Sequence, residues 1–253
     1  MRLIRALTPL ERFSAALTLL LLGAFLTSQA SAQIPVTEYA ARRAALAAKV
    51  DNGVVLAFGR REPISHFPPF YQSPNFRYLT GFLESNAAMM IVKQGGRTTS
   101  TIFLEKPDAR VALYFGDRKT PTQVASDLGM TSRFMEDFQR VADSLAGTGL
   151  PFYTITDAQS GEFVTRDSLS FGHAFATAFT KRHPKVAVKD LSKTVDEMRA
   201  KKSDAELAII TKAAEVSAKA HEEVMRSVRP GMKESEIQAL MEATYRKLGA
   251  DGP

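Results

Sequence analysis

The sequence predicts an α/β fold, a mixed sheet flanked by helices, followed by the first two helices of a second domain. Two observations predict it. Short continuous apolar runs alternate with helix-favouring stretches from about residue 34 to about residue 190, the pattern of strands buried between helical layers. From residue 191 onward the apolar runs stop and two amphipathic helical patterns take their place.

Val36 to Val50, rich in Ala, predicts an opening helix with Thr37 as a partial N-cap. Asp51-Asn52-Gly53 breaks it, and Val54 to Phe58 is apolar throughout, as a buried strand is. Gly59 to Leu79 carries Pro63, Pro68, Pro69 and Pro74 and predicts a long loop. Its aromatics, Phe67, Phe70, Tyr71, Phe76 and Tyr78, together with Phe82, suit either a subunit contact or a lid on the sheet. In the second case Tyr78 to Phe82 enters a strand, with Gly81 permitting the turn. Three further strands are predicted over Ala87 to Val92, Thr101 to Leu104 and Val111 to Phe115, punctuated by Gly95-Gly96 and Pro107-Asp108. Helical stretches follow at Pro121 to Leu128 and Arg133 to Leu145, then a strand at Phe152 to Ile155. A helix over Leu169 to Lys181 and a strand over Val186 to Val188 close the domain.

In the last quarter, Ser203 and Glu206 form a capping-box pattern before a stripe of Leu207, Ile210, Ala214, Ser217, His221 and Val224. Arg229-Pro230-Gly231 stops that helix. A second one carries Ile237, Leu240, Met241, Ala243 and Leu248, with Gly249 closing it. Two such stripes cannot be buried on each other and on a finished α/β domain without leaving apolar surface exposed, which implies further chain.

Residues 1–32 have the order of a secretory signal: Arg2, Arg5 and Arg12, an apolar run from Ala15 to Leu26, then Ala30-Ser31-Ala32. The apolar run is shorter than the roughly 20 residues a spanning helix needs, so cleavage before Gln33 and a periplasmic or secreted location are expected. The remaining chain has no segment apolar enough for a membrane. At 45% hydrophobic and 24% charged, the 253 residues have the composition of a folded body. Lys and Arg are scattered among Asp and Glu despite a formal charge of +6, so nucleic acid is not implied. The absence of Cys excludes disulfides, thiolate catalysis and Cys-ligated zinc.

Two stretches carry a recognisable pattern. The run Phe70-Tyr-Gln-Ser-Pro-Asn-Phe-Arg-Tyr-Leu-Thr-Gly-Phe-Leu-Glu84 resembles the segment aromatic-x-Q-x-x-x-F-x-Y-L-T-G-F-x-E of Xaa-Pro aminopeptidases (aminopeptidase P) and their prolidase relatives. The run Val195-Asp-Glu-Met-Arg-Ala-Lys-Lys-Ser-Asp-Ala-Glu206, continued by Ala213-Ala214, His221 and Arg229-Pro-Gly-Met-Lys-Glu234, resembles the lead-in to that family's catalytic domain. Arg77 stands where the family often has an aromatic residue.

The resemblance implies a creatinase-like N-terminal domain over 34–190. It also implies the start of a pita-bread metallopeptidase domain over 191–253, taken here as incomplete. The family's active site is a divalent metal pair, commonly manganese, held by paired Asp, one His and paired Glu. Those ligand types suit two hard cations that share a hydroxide nucleophile and polarise the scissile carbonyl. In the family all such ligands lie downstream of the second helix, so no metal ligand and no catalytic residue is assigned here, and no metal is expected to bind this portion alone.

His66, His173, His183 and His221 show no H-x-x-x-H or H-E-x-x-H spacing, so no metal-binding constellation is visible. His221 reads as a half-buried helix histidine, and Glu222 and Glu223 as solvated carboxylates. Two substrate contacts are suggested by Leu113-Tyr-Phe-Gly-Asp-Arg118, which resembles a strand end from which the family sends an aromatic ring toward a neighbouring subunit's active site. Tyr114 would stack on a substrate side chain, or is an ordinary core or edge-strand aromatic. Arg118 would bind a substrate carboxylate, or forms a surface ion pair.

The expected function is the front portion of an exported metalloaminopeptidase that acts on peptides with proline in second position, in a homo-oligomer. Two alternatives stand beside it: a non-catalytic creatinase-like binding or assembly module, and a prolidase-type dipeptidase.

Overall fold

The computed structural model describes residues 33–62, 70–156 and 171–250, without the side chains of Tyr114 and Phe115. The signal expected over 1–32, together with His66 and Phe67, lies outside them. The chain divides into two compact units, one of Ile34–Ser203 and one that contains Asp204 onward.

The first unit is organised around a central strand whose two sides are both apolar. β1 (Gly53–Phe58) is buried at every residue. It pairs antiparallel with β2 (Ala88–Gln94), which pairs antiparallel with β3 (Arg97–Leu104). Gly95 and Gly96 both have positive φ, 57° and 79°, the backbone that a two-residue hairpin requires and that glycine adopts without strain. β4 (Thr131–Phe134), β5 (Phe152–Ile155) and β6 (Val188–Asp190) add in parallel, giving the six-stranded order β4-β3-β2-β1-β5-β6.

Alternation along the strands sends Val55, Ala57, Met89, Ile91, Ile102 and Leu104 to one face. That face is covered by α1 (Val36–Ala48), α2 (Pro74–Thr80), α4 (Pro121–Leu128) and α7 (Ser192–Ala200), through buried residues that include Leu46, Phe76, Leu79, Val124 and Val195. The other face packs against α5 (Phe138–Ala146) and α6 (Phe171–Arg182). Its core is aromatic. Phe138 meets Phe58 and Phe103 edge-on at 5.5 and 5.1 Å, and Phe175 stacks on Phe179 at 5.2 Å, geometries that the ring quadrupole favours.

Five expectations are corrected, the first being the strand expected over Val186 to Val188, which lies at Val188–Asp190. Val111 to Phe115 is not a strand but part of α3 (Ala109–Phe115), because Asp108 is an N-cap whose carboxylate accepts from the Arg110 and Val111 amides at 2.7 and 3.2 Å. The stretch from Gly59 to Leu79 contains α2, begun by Pro74 at its first position and ended by Gly81 in the left-handed conformation, so Tyr78 leads into no strand. Thr37 lies inside α1, which is preceded by Pro35 and has no side-chain cap. Arg133 and Phe134 belong to β4 and precede a 3-10 turn at Met135–Asp137, so the helix begins only at Phe138.

The second unit holds α8 (Asp204–Ser227) and α9 (Glu234–Lys247). Val216 and Ala220 of α8 are buried, whereas Leu207, Ile210, Met225 and Val228 are exposed. No helix among the described residues is long and apolar enough to cross a membrane.

Candidate functional site

The first motif is a short helix with both ends built in. Thr80 donates its hydroxyl to the Phe76 carbonyl at 2.8 Å and accepts from the Phe82 amide at 3.1 Å, so it closes the last turn from inside. Gly81 follows at φ 69°, and a Cβ there would stand 2.5 Å from the Tyr39 ring. The open carbonyls at the end of α2 are taken by α1. Arg42 donates to the Tyr78 carbonyl at 3.1 Å and Arg43 to the Leu79 carbonyl at 3.0 Å. Two guanidinium groups thereby face the negative end of a helix. Arg42 also pairs with Glu38 and lies 4.1 Å from the centre of the Tyr78 ring. Burial lowers the pKa of Arg43.

The start of the second motif, on α7 within the same unit, packs on the first. Val195 of α7 is fully buried, and the carbonyl oxygen of the Asn75 side chain accepts from Arg199 Nη1 at 2.7 Å. The Asn75 amide nitrogen donates to Asp196 Oδ1 at 3.3 Å, and the Tyr78 hydroxyl donates to the Met198 carbonyl at 3.3 Å. Residues more than 100 positions apart thus form one polar contact at the margin of the core.

Gln72, the polar residue near the start of the first motif, is a buried crosslink. Its Oε1 accepts from the Arg60 and Ser73 amides at 2.6 and 2.8 Å, and its Nε2 donates to the Glu84 carbonyl at 2.7 Å. Both polar atoms of its amide group are therefore used, and together they hold the chain leaving β1 against the chain entering β2.

Arg118 is partly buried in a cluster of its own domain. It reaches Glu62 at 2.5 Å, Glu105 at 3.2 Å, the Ser85 hydroxyl at 3.1 Å and the Ser85 carbonyl at 3.3 Å. A substrate carboxylate would have to replace Glu62 or Glu105 there. Beside it, Asn86 adopts φ 58°, a conformation Asn tolerates better than most residues. It donates to Glu105 at 2.7 Å and accepts from the Glu62 amide at 3.0 Å. Tyr114 sits in α3, separated from Arg118 by the helix end at Gly116.

The histidines are dispersed. His183 Nε2 lies 2.7 Å from Asp143 Oδ1, and His221, which is exposed rather than half-buried, has Nδ1 at 2.8 Å from the Ser217 carbonyl of its own helix. Burial alone would raise the Asp143 pKa, but hydrogen bonds from Gln139 and His183 hold it below the ordinary value. Asp190 is held low in the same way: burial raises its pKa and is outweighed by the Ser192 hydroxyl and amide and by the Thr156 hydroxyl. Among the described residues no group of three or more His, Asp or Glu could hold a metal ion.

Comparison with known proteins gives a consistent picture. The model of the aminopeptidase P N-terminal domain matches residues 39–149, and that of metallopeptidase family M24 matches residues 208–253. The chain is 27% identical over 232 residues to the Xaa-Pro aminopeptidase of Escherichia coli (strain K12), an alignment covering 87% of this chain and 51% of that protein. To the Xaa-Pro aminopeptidase of Haemophilus influenzae it is 26% identical over 214 residues, covering 82% and 47%. The low-pH form of E. coli aminopeptidase P superposes with a TM-score of 0.71 at 25% identity, covering 86% of this chain and 50% of that one. The chain spans about half the length of the curated relatives it matches.

Proposed function

We propose, for a chain that belongs to the creatinase/prolidase metallopeptidase superfamily and sits with its Xaa-Pro aminopeptidases, that it is the front portion of an exported metalloaminopeptidase. The substrates are peptides with proline in second position, from which the N-terminal residue is released. The observation that supports this reading most is the meeting of the two family motifs at Asn75 and Arg199, on a sheet and in a chain order shared with aminopeptidase P.

In this reading the first unit contributes to homo-oligomer assembly and substrate access. Tyr114 would provide a ring for the substrate, and Arg118 a cation that must exchange Glu62 or Glu105 for a substrate carboxylate. A divalent metal pair, manganese in this proposal, would supply the hydroxide nucleophile and polarise the scissile carbonyl. The described residues bring no such ligand set together, so they do not fit that group and no step through it is assigned to them.

The test uses the protein expressed from its complete reading frame, supplied with manganese, on tripeptides with proline second and on Xaa-Pro dipeptides. Release of the first residue from tripeptides is the expected result. Hydrolysis of dipeptides alone would replace the proposal with a prolidase-type activity. Turnover of neither by a folded, metal-loaded protein would leave a binding or assembly module.

A further inference from the structure

We propose that the β6 side of the first unit is a basic docking surface for anionic phospholipid, independent of any peptidase activity. The fold collects the charge. The end of α6, the turn after it, β6 and the start of α7 are consecutive in the chain, and β6 is the last strand on its side of the sheet. Residues 181–193 therefore run along one edge of the unit. They hold Lys181, Arg182, Lys185, Lys189 and Lys193 against a single acid, Asp190, and all five basic residues are exposed.

The neighbouring acids are already engaged. Asp190 accepts from the amide and hydroxyl of Ser192 and from the Thr156 hydroxyl. Asp143 of α5 has His183 at 2.7 Å and Arg182 at 3.7 Å. Among the described residues Lys181, Lys185, Lys189 and Lys193 have neither an ion pair nor a side-chain hydrogen bond. Lysines that only guard an open strand against pairing sit on that strand. Here Lys189 alone does so, opposite Tyr153, while Lys181 lies in the last turn of α6, Lys185 in the turn before β6 and Lys193 in the first turn of α7. Because α6 and α7 cover opposite faces of the sheet, the charge comes from both helical layers and from the strand between them.

Four point ammonium groups suit headgroup phosphates that can move to meet them. Nucleic acid is held instead by Arg forks and stacked aromatic rings, and the one Arg of this segment stands beside Asp143. No helix among the described residues can cross a bilayer, so the association is peripheral, carried by charge and screened by salt.

The experiment is co-sedimentation of residues 33–253, which include the whole unit that bears the surface, with phosphatidylcholine vesicles and with vesicles in which about a third of the lipid is phosphatidylglycerol. Binding is expected on the anionic vesicles alone and is lost when salt rises about tenfold from a low starting concentration. Each lysine near an anionic surface carries about a fivefold effect, so joint replacement of Lys181, Lys185, Lys189 and Lys193 by Gln should lower the partition coefficient at least about a hundredfold. The same change at Lys212, Lys219, Arg246 and Lys247, exposed on α8 and α9, removes equal charge and should lower it far less. Circular dichroism confirms that both quartets remain folded, as exposed side chains allow. Equal losses in the two quartets would reduce the effect to net charge and overturn the proposal. Equal binding to neutral vesicles, or no binding to anionic ones, overturns it as well. Binding of duplex DNA without binding of vesicles, abolished by the first quartet, replaces the lipid with nucleic acid.

Discussion

Arg43 of α1 donates to the main-chain carbonyl of Leu79, 36 residues away, from a position where only 4% of the residue meets solvent. One helix thus closes the end of another, and the bond is charge-assisted. Replacement of Arg43 by Met preserves much of the volume and leaves the Leu79 carbonyl without its donor. The expected loss is about 1–3 kcal/mol of stability, measured by urea unfolding of the chain. Arg43→Lys should recover only part of it, because a point ammonium does not reproduce the reach of a planar fork.

Gly81→Ala should be worse than its size suggests. The added methyl meets both a positive φ and the Tyr39 ring at 2.5 Å. Destabilisation of at least about 1–2 kcal/mol is expected from the backbone conformation alone. Truncating Tyr39 in the same protein should relieve the steric share and leave the conformational share, which a double-mutant cycle separates.

Phe138→Ala removes a ring that touches Phe58, Phe103 and Phe175. A cavity of that kind in a close-packed aromatic layer costs about 3–5 kcal/mol. The thermal midpoint of the unit that contains the sheet should fall accordingly, and Phe138→Leu should fall less.

Asp190 links stability to pH. Its folded pKa is depressed, so the unfolded chain binds more protons wherever the two states differ, and stability rises with pH there. The contribution is fully present above the unfolded value, about 3.9, and is lost as pH falls through the folded one. Asp190→Asn should therefore flatten the dependence of the thermal midpoint on pH below about pH 4 while changing it little between acid-independent conditions near neutrality.

The secretory signal expected at residues 1–32 makes a separate prediction. When the protein is produced with its full N-terminus in an export-competent bacterial host, mass spectrometry of the exported product should find Gln33 as the first residue. Retention of residues 1–32 on the product would contradict export by cleavage.

Much of the sheet was legible because β1, β5, the first part of β2 and the last part of β3 are mostly apolar stretches too short for helices. β4 was hidden: Thr-Ser-Arg-Phe has little hydrophobic pattern, as suits an edge strand half in solvent. Val111 to Phe115 misled because a short apolar run fits a strand or a helix turn equally, and the deciding signal was the cap at Asp108. α2 was masked by the prolines around it, although Pro74 and Gly81 mark its ends. The motif residues could be named from sequence, and Gln72 and Arg199 were among them. What they touch could not be, because Asn75 and Arg199 are 124 residues apart and nothing in either local stretch announces the other.

The central place of β1 has a consequence for the chain as it is made. Its antiparallel neighbour β2 arrives within a few dozen residues, but its parallel neighbour β5 starts only at Phe152. Until then the strand Gly-Val-Val-Leu-Ala-Phe has one flank of unpaired amides and carbonyls, carrying side chains destined for complete burial. Such an edge is a template for a neighbouring nascent chain, so premature termination between β3 and β5 yields a sticky species whose fate is aggregation or chaperone capture.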